Sequence, residues 1–354
     1  MIFPFDAESI IYLNNINLFL MKLTNIDFNN KTILITGGAG FIGSNIAFYF
    51  QKYFPKSRVI IFDIFRNSER FDNGNLKSFG HYKNLIGFGG EIICGNINND
   101  RDLEKLLDYK FDYIFHQAAI SDTRVYDQEE VFRTNINSFT FFLNLTKRDS
   151  ATLVYASSAA TYGSLSSPQK IGLEFPENPY GYSKFIMDQM AKKFYEQNEN
   201  LNIVGLRFFN VYGPGEFYKE KTSSMVIQLG HQILAGNSPR LFENSEKIFR
   251  DFVFIDDVIQ ANIKACSSKK NGVFNVGYGS PRSFKEIVDI LQAELKTNYP
   301  IEYFKNPYNG YQNHTAADIS LSEKYLDYKP NYSLEKGIAK YISYIREMFE
   351  INSK

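Results

Sequence analysis

Tyr180 and Lys184 stand four residues apart in the run Y-G-Y-S-K, a spacing that brings two side chains onto one face of a helix. An ammonium beside a phenol favours the phenolate, so such a pair lets a tyrosine exchange protons near neutral pH. The chain holds 24 tyrosines, and taken alone the spacing reads equally as a surface pair. Upstream, the apolar run V-Y-A-S-S ends in Ser157 and Ser158. A hydroxyl there either holds a reacting alcohol or carbonyl or closes a strand-end turn. Chemistry of this kind needs a scaffold that holds a ligand against the tyrosine.

The chain supplies one between Ile33 and Ser44, I-L-I-T-G-G-A-G-F-I-G-S. An apolar run of strand length ends in Thr36, glycines follow at Gly37, Gly40 and Gly43, and Ile46, Ala47, Tyr49 and Phe50 continue with helical spacing. Strand, glycine turn and helix in that order suit a pyrophosphate. Glycines allow close backbone approach, and the helix start, at Phe41 and Ile42, offers free N–H groups and positive partial charge. A second strand, R-V-I-I-F, ends in Asp63, twenty positions after Gly43, where a carboxylate meets the adenosine ribose of a dinucleotide. Asp63 alone would favour NAD. Arg66 and Arg70 follow within one loop, and arginines there neutralise a 2′-phosphate, so the expected cofactor is NADP, tightly bound.

From Lys31 to about Gly163 strand-like and helix-like segments alternate, which predicts a Rossmann-type, doubly wound parallel α/β sheet. The expected strands include Glu91–Cys94, Tyr113–Phe115 and Leu153–Ala156. The expected helices cover Asp100–Leu107, Gln128–Lys147 and Tyr182–Glu196. The cofactor domain should span 31–213, with 250–280 returning to its sheet. Beyond Pro214 the alternation breaks down, so 214–249 and 281–354 should form a smaller C-terminal α/β substrate-binding region.

Composition excludes several classes. Thirty-nine basic residues balance thirty-nine acidic ones, so no net field recruits nucleic acid or an anionic membrane. Cys94 and Cys266 are far apart, and the four histidines show no ligand spacing. Neither a disulfide framework nor a metal site is expected, and a reducing cytoplasm fits. Residues 9–20 are apolar, but Asp6 and Glu8 precede them and asparagines interrupt them, unlike a signal core. Residues 1–30 are expected to be a leader or peripheral extension.

The glycine motif, the serine-tipped strand and the Tyr/Lys pair together resemble the extended short-chain dehydrogenase/reductase family. The resemblance spans nearly all of the chain from about Lys31. It implies a nicotinamide cofactor served by Ser158, which holds the reacting oxygen, Tyr180 as acid/base, and Lys184, which binds the nicotinamide ribose and tunes Tyr180. Asn96, Gln117, Ala118, Ala119, Ser121, Asn135 and Val211 are implied as further cofactor contacts. The runs S-S-A-A-T-Y-G, N-P-Y-G-Y-S-K-F, F-N-V-Y-G-P-G-E-F-Y-K, P-R-L-F-E-N-S-E and R-D-F-V-F-I-D-D-V are similar to the branch of that family that epimerises ADP-heptose at C6 for the lipopolysaccharide core. That branch implies substrate contacts at Asn210, Lys221, Gln228, Phe242, Glu243, Asn244, Ser245, Arg250 and Tyr311, a cofactor-side role for Lys219, and a homo-oligomer. Two positions depart from the pattern. Gly215 stands where the family carries arginine, and Asn96 where it carries aspartate.

A ketone reduced on its opposite face has its oxygen in two positions in turn, beyond the reach of one proton-exchanging group. Lys219, just past F-N-V-Y-G-P, is the expected second acid/base, against the plain alternative of a solvated loop lysine. A UDP-hexose 4-epimerase shares Ser158, Tyr180 and Lys184 and stays open as an alternative. A 4,6-dehydratase needs an acid and a base after the serine or threonine, where this chain has Ala159 and Ala160. A silent regulatory module would have lost the tyrosine or lysine.

Overall fold

The structure is a computed structural model, and it describes residues 23–306 and 314–352. Ile33, Leu34 and Ile35 are fully buried because helices cover both faces of a parallel sheet, which turns its strands into continuous apolar runs. The first half contributes β1 (Thr32–Thr36), α1 (Phe41–Tyr53), β2 (Arg58–Asp63), β3 (Glu91–Cys94), α2 (Asp100–Glu104), β4 (Tyr113–His116), α3 (Gln128–Phe132), α4 (Ser138–Asp149) and β5 (Thr152–Ser158). Next come α5 (Pro179–Glu196), β6 (Asn202–Phe208), β7 (Asn210–Tyr212), α6 (Met225–Leu234), β8 (Arg240–Phe242), β9 (Phe249–Arg250) and β10 (Phe252–Phe254). The last stretch holds α7 (Ile255–Ala265), β11 (Gly272–Val276), β12 (Arg282–Ser283), α8 (Phe284–Leu295), β13 (Glu302–Phe304), α9 (Ser320–Leu326) and α10 (Leu334–Asn352).

Seven strands form one parallel sheet in the order β11-β6-β5-β4-β1-β2-β3. The expected doubly wound sheet is present. The order reverses beside β1, which pairs with β2 on one side and β4 on the other, and this switch point opens a crevice at the carboxyl ends of the strands. β11 pairs with β6, so the segment after Arg250 does reach the sheet. The short pairs β7–β10, β8–β13 and β9–β12 stand apart from it, and α6, α8 and α10 pack on one another.

Three helices differ from expectation, among them the one expected over Gln128–Lys147, which a π-helical turn at Arg133–Asn137 divides into α3 and α4. Helix α5 begins at Pro179, three residues earlier than Tyr182, because the Asn178 side chain accepts the Gly181 N–H at 2.8 Å and proline fills the first turn. Tyr180 therefore sits in the first helical turn. Helix α2 ends at Glu104, and the following residues through Leu107 make only turn bonds. Residues 23–30 lie against the sheet domain: Leu23 donates its N–H to the Tyr49 hydroxyl at 3.0 Å, and Phe28 is fully buried against Phe50, Phe54 and Tyr113. Residues 1–22 lie outside the described part. No helix among the described residues is long and apolar enough to cross a membrane.

Candidate active site

A cleft of about 860 Å³ runs over the switch point, within the range of small-molecule sites. Its floor is the glycine turn. Gly37 has φ +67°, and a β-carbon there would lie 2.8 Å from the Ala118 backbone nitrogen. At Gly43 a β-carbon would lie 2.3 Å from the Gly37 carbonyl oxygen, closer than any real contact. Gly40 starts α1, and no side chain caps that helix, so its first N–H groups face the cleft with the positive end of the dipole. A glycine cradle, an uncapped helix start and a buried, unpartnered Gln117 Oε1 on the wall fit a dinucleotide. We expect Gly43→Ala to lower bound dinucleotide about tenfold or more, because the turn must open to admit a methyl group. Quantifying dinucleotide released from unfolded protein tests this, and stoichiometric cofactor in the variant would show that the turn yields.

Asp63 ends β2 beside that turn, 6% exposed. Its Oδ2 accepts the Ala39 N–H at 2.9 Å and its Oδ1 the Phe65 N–H at 2.8 Å, while burial pushes the carboxyl upward. The carboxylate fastens the glycine turn to the loop after β2. Across the switch point, Thr36 Oγ1 accepts the Ala118 N–H at 3.2 Å and pairs with His116 Nδ1 at 2.8 Å, which fixes the wall formed by Gln117, Ala118 and Ala119.

Ser158 is the last residue of β5. Its Oγ accepts the Ala160 N–H at 3.1 Å, so it also starts the short helical turn that follows. Tyr180 and Ser158 both line the cleft. Burial raises the Tyr180 phenol, and only Ser158 acts in the other direction. Lys184 Nζ lies 6.0 Å from the Tyr180 ring centroid and donates to the Ala156 carbonyl at 2.8 Å. Burial also depresses Lys184 itself to about 8, with Asp188 opposing.

A different loop brings in Lys219. Its ammonium lies 5.8 Å from the Phe41 ring centroid and 5.9 Å from that of Phe79. Burial lowers its pKa, and Glu216 and Asp122 oppose that shift. Glu216, which the sequence reading did not single out, holds this loop. It is fully buried and accepts from the Gly213 N–H at 3.1 Å, the Ser224 hydroxyl at 2.8 Å and the Tyr341 hydroxyl at 3.1 Å. The signal for it was a lone acid after G-P-G. Gly215 adopts φ +98°, and a β-carbon there would lie 3.1 Å from Asn45 Nδ2. An arginine would be strained in this backbone conformation. Asn96 lines the cleft, and its Oδ1 accepts the Asn98 N–H at 2.9 Å, a turn that an aspartate would make equally well.

Of the expected site residues, Gly37, Gly40, Phe41, Ile42, Gly43, Asp63, Asn96, Gln117, Ala118, Ala119, Ser121, Ser158, Tyr180, Lys184, Asn210, Val211, Lys219 and Arg250 line this one cleft. Asn135 stands behind the wall. It accepts the Ile120 N–H and donates to the Ile120 carbonyl and Ser183 Oγ, all at 2.9 Å, from a π-helical turn between α3 and α4. Lys221, Gln228 and Phe242 to Ser245 do not line the cleft. Gln228 instead donates to the Ser223 carbonyl at 2.7 Å, and Phe242 packs edge-on against Phe304. Arg66 and Arg70 also stay outside it, because Glu220 draws both guanidinium groups to itself. Tyr311 lies outside the described residues. The cleft also exposes Lys77, paired with Glu130 at 2.9 Å, and Asn98, Arg133 and Thr134, none of which carried a motif.

The profile of the NAD dependent epimerase/dehydratase family matches residues 33–277. The chain is 34% identical over 316 residues to ADP-L-glycero-D-manno-heptose-6-epimerase of Brachyspira hyodysenteriae, covering 87% of this chain and 96% of that one. Its fold is similar to the crystal structure of Helicobacter pylori ADP-L-glycero-D-manno-heptose-6-epimerase, with a TM-score of 0.84 and 48% identity, over 92% of this chain and 99% of that one. UDP-N-acetylglucosamine 4-epimerase from Methanobrevibacter ruminantium aligns with a TM-score of 0.79 and 27% identity, over 92% of this chain and all of that one.

Proposed function

The chain belongs to the NAD dependent epimerase/dehydratase family, and we propose that it interconverts ADP-D-glycero- and ADP-L-glycero-β-D-manno-heptose at C6. The observation that carries this reading is that Lys219 lines the same cleft as Ser158, Tyr180 and Lys184 but comes from another loop. A proton-exchanging group on each side of the cleft lets hydride return to the opposite face of a ketone without one group having to reach both oxygen positions.

A nicotinamide supplies the hydride acceptor that then serves as hydride donor. Gly37, Gly40 and Gly43 with the N–H groups of Phe41 and Ile42 would hold its pyrophosphate, and Lys184 its ribose. Ser158 orients the C6 oxygen of the sugar. Tyr180 takes the C6 hydroxyl proton in one orientation, and Lys219 holds the oxygen's proton after the side chain has turned about its bond to the ring. Arg250, 7% exposed beside Phe284, suits the substrate diphosphate. The reading of NADP as the cofactor rests on Arg66 and Arg70 in the loop after Asp63, the residues that would receive a 2′-phosphate. The product would serve lipopolysaccharide core assembly in the cytoplasm, with the enzyme working as a homo-oligomer.

The test is incubation with each ADP-heptose epimer and, separately, with UDP-glucose, followed by chromatographic separation. We expect either ADP-heptose epimer to give a mixture of both while UDP-glucose is recovered unchanged. Conversion of UDP-glucose with no change in ADP-heptose would replace this reading by a hexose 4-epimerase.

A further inference from the structure

We infer that Glu220 is a specificity-determining residue that competes with the cofactor's 2′-phosphate for Arg66 and Arg70. One carboxylate bridges the two guanidinium groups, with Oε1 at 3.4 Å from Arg66 Nη1 and Oε2 at 3.2 Å from Arg70 Nη1. Arg66 is steadied by the Tyr218 carbonyl and Arg70 by the Gly74 carbonyl at 3.0 Å, so both arginines lean toward the Lys219 loop instead of lining the cleft.

The backbone at Glu220 reinforces the point. It has φ +52° and ψ −126°, a conformation that glycine adopts freely and a residue with a β-carbon adopts at a cost. Glutamate occupies that position, and what its side chain does there is bind two cations. A carboxylate and a phosphate monoester use the same guanidinium fork. While Glu220 is in place, the group carries one net positive charge instead of two, and a phosphate must displace or share the carboxylate. The side chains are 24%, 47% and 40% exposed for Arg66, Arg70 and Glu220, so water screens the competition and its effect is modest, about fivefold in relative affinity.

This inference rests on the proposed role of the two arginines as receivers of the phosphate. Full-length wild-type and Glu220→Gln proteins are equilibrated with equal concentrations of NADP⁺ and NAD⁺, freed of unbound ligand and unfolded, and the released dinucleotides are counted by mass spectrometry. The NADP-to-NAD ratio should be about fivefold higher in the variant. An unchanged or lower ratio overturns the inference. Glu220→Gly, which removes the carboxylate and relieves the backbone, must move the ratio the same way and decides the matter if the glutamine protein does not fold. In an Arg66→Ala, Arg70→Ala background the gain should shrink toward nothing, and a full gain there would mean that Glu220 acts only through net charge, which also overturns it. The wild-type ratio separately tests the cofactor reading. A value below one removes NADP as the preferred form without touching the change between variants.

Discussion

Tyr180→Phe should lower epimerisation of ADP-heptose by about a thousandfold, within the usual span for loss of a general acid/base, while KM changes little. The hydroxyl is the only group removed, and the ring that lines the cleft stays. Lys219→Met should cripple turnover comparably, since methionine keeps the apolar stem against Phe41 and Phe79 and loses the ammonium. The informative measurement is single turnover with each epimer, following absorbance of the reduced nicotinamide. Each variant should retain a half-reaction with one epimer and lose it with the other, because each oxygen position keeps one proton-exchanging partner. Equal residual rates with both epimers, or wild-type epimerisation by Lys219→Met, would leave Tyr180 as the sole acid/base.

Asp188→Asn should cost about 3 kcal/mol of stability, the scale expected when one partner of a buried ion pair is removed. Asp188 sits one helical turn after Lys184, 4% exposed. Its Oδ2 accepts from Arg207 Nε at 3.0 Å, Arg207 Nη2 at 2.8 Å and Ser157 Oγ at 3.0 Å, and its Oδ1 accepts from the Tyr155 hydroxyl at 2.9 Å. Burial pushes the carboxyl up and Arg207 pulls it back down. Amide replacement sets an N–H₂ against one set of these donors and leaves Arg207 with Glu174 at 2.6 Å and the Tyr162 ring as its remaining partners. The network ties the end of β5, and so Ser158, to α5, and so Tyr180 and Lys184. Turnover should therefore fall together with the denaturation midpoint. Urea unfolding measures the first effect, and a loss under 1 kcal/mol would show that Glu174 and Tyr162 suffice for Arg207.

Local chemistry determined a large part of this protein from sequence alone. The glycine turn was legible because steric need acts within a few residues: Gly43 faces the Gly37 carbonyl six positions away, and no other residue type fits. The parallel sheet was legible because strands buried on both faces must be continuously apolar, as Ile33 to Ile35 and Val59 to Phe62 are. Tyr180 and Lys184 were legible as a pair because helical spacing is short-range. What the pair does to its own protons was decided elsewhere. The Ala156 carbonyl, brought in by β5, takes a hydrogen bond from the Lys184 ammonium, and burial raises the tyrosine. The same holds for the charges. Arg66 and Arg70 read as free phosphate ligands in sequence, yet Glu220, some 150 positions later, meets both. Lys219 lies half-buried beside Phe41 and Phe79, and Glu216 becomes a loop anchor only once Tyr341 reaches it. Steric and periodic constraints act over a few residues and leave their mark in the order of the chain. Electrostatic environment depends on which distant groups fold against one another, and only the tertiary structure brings those together.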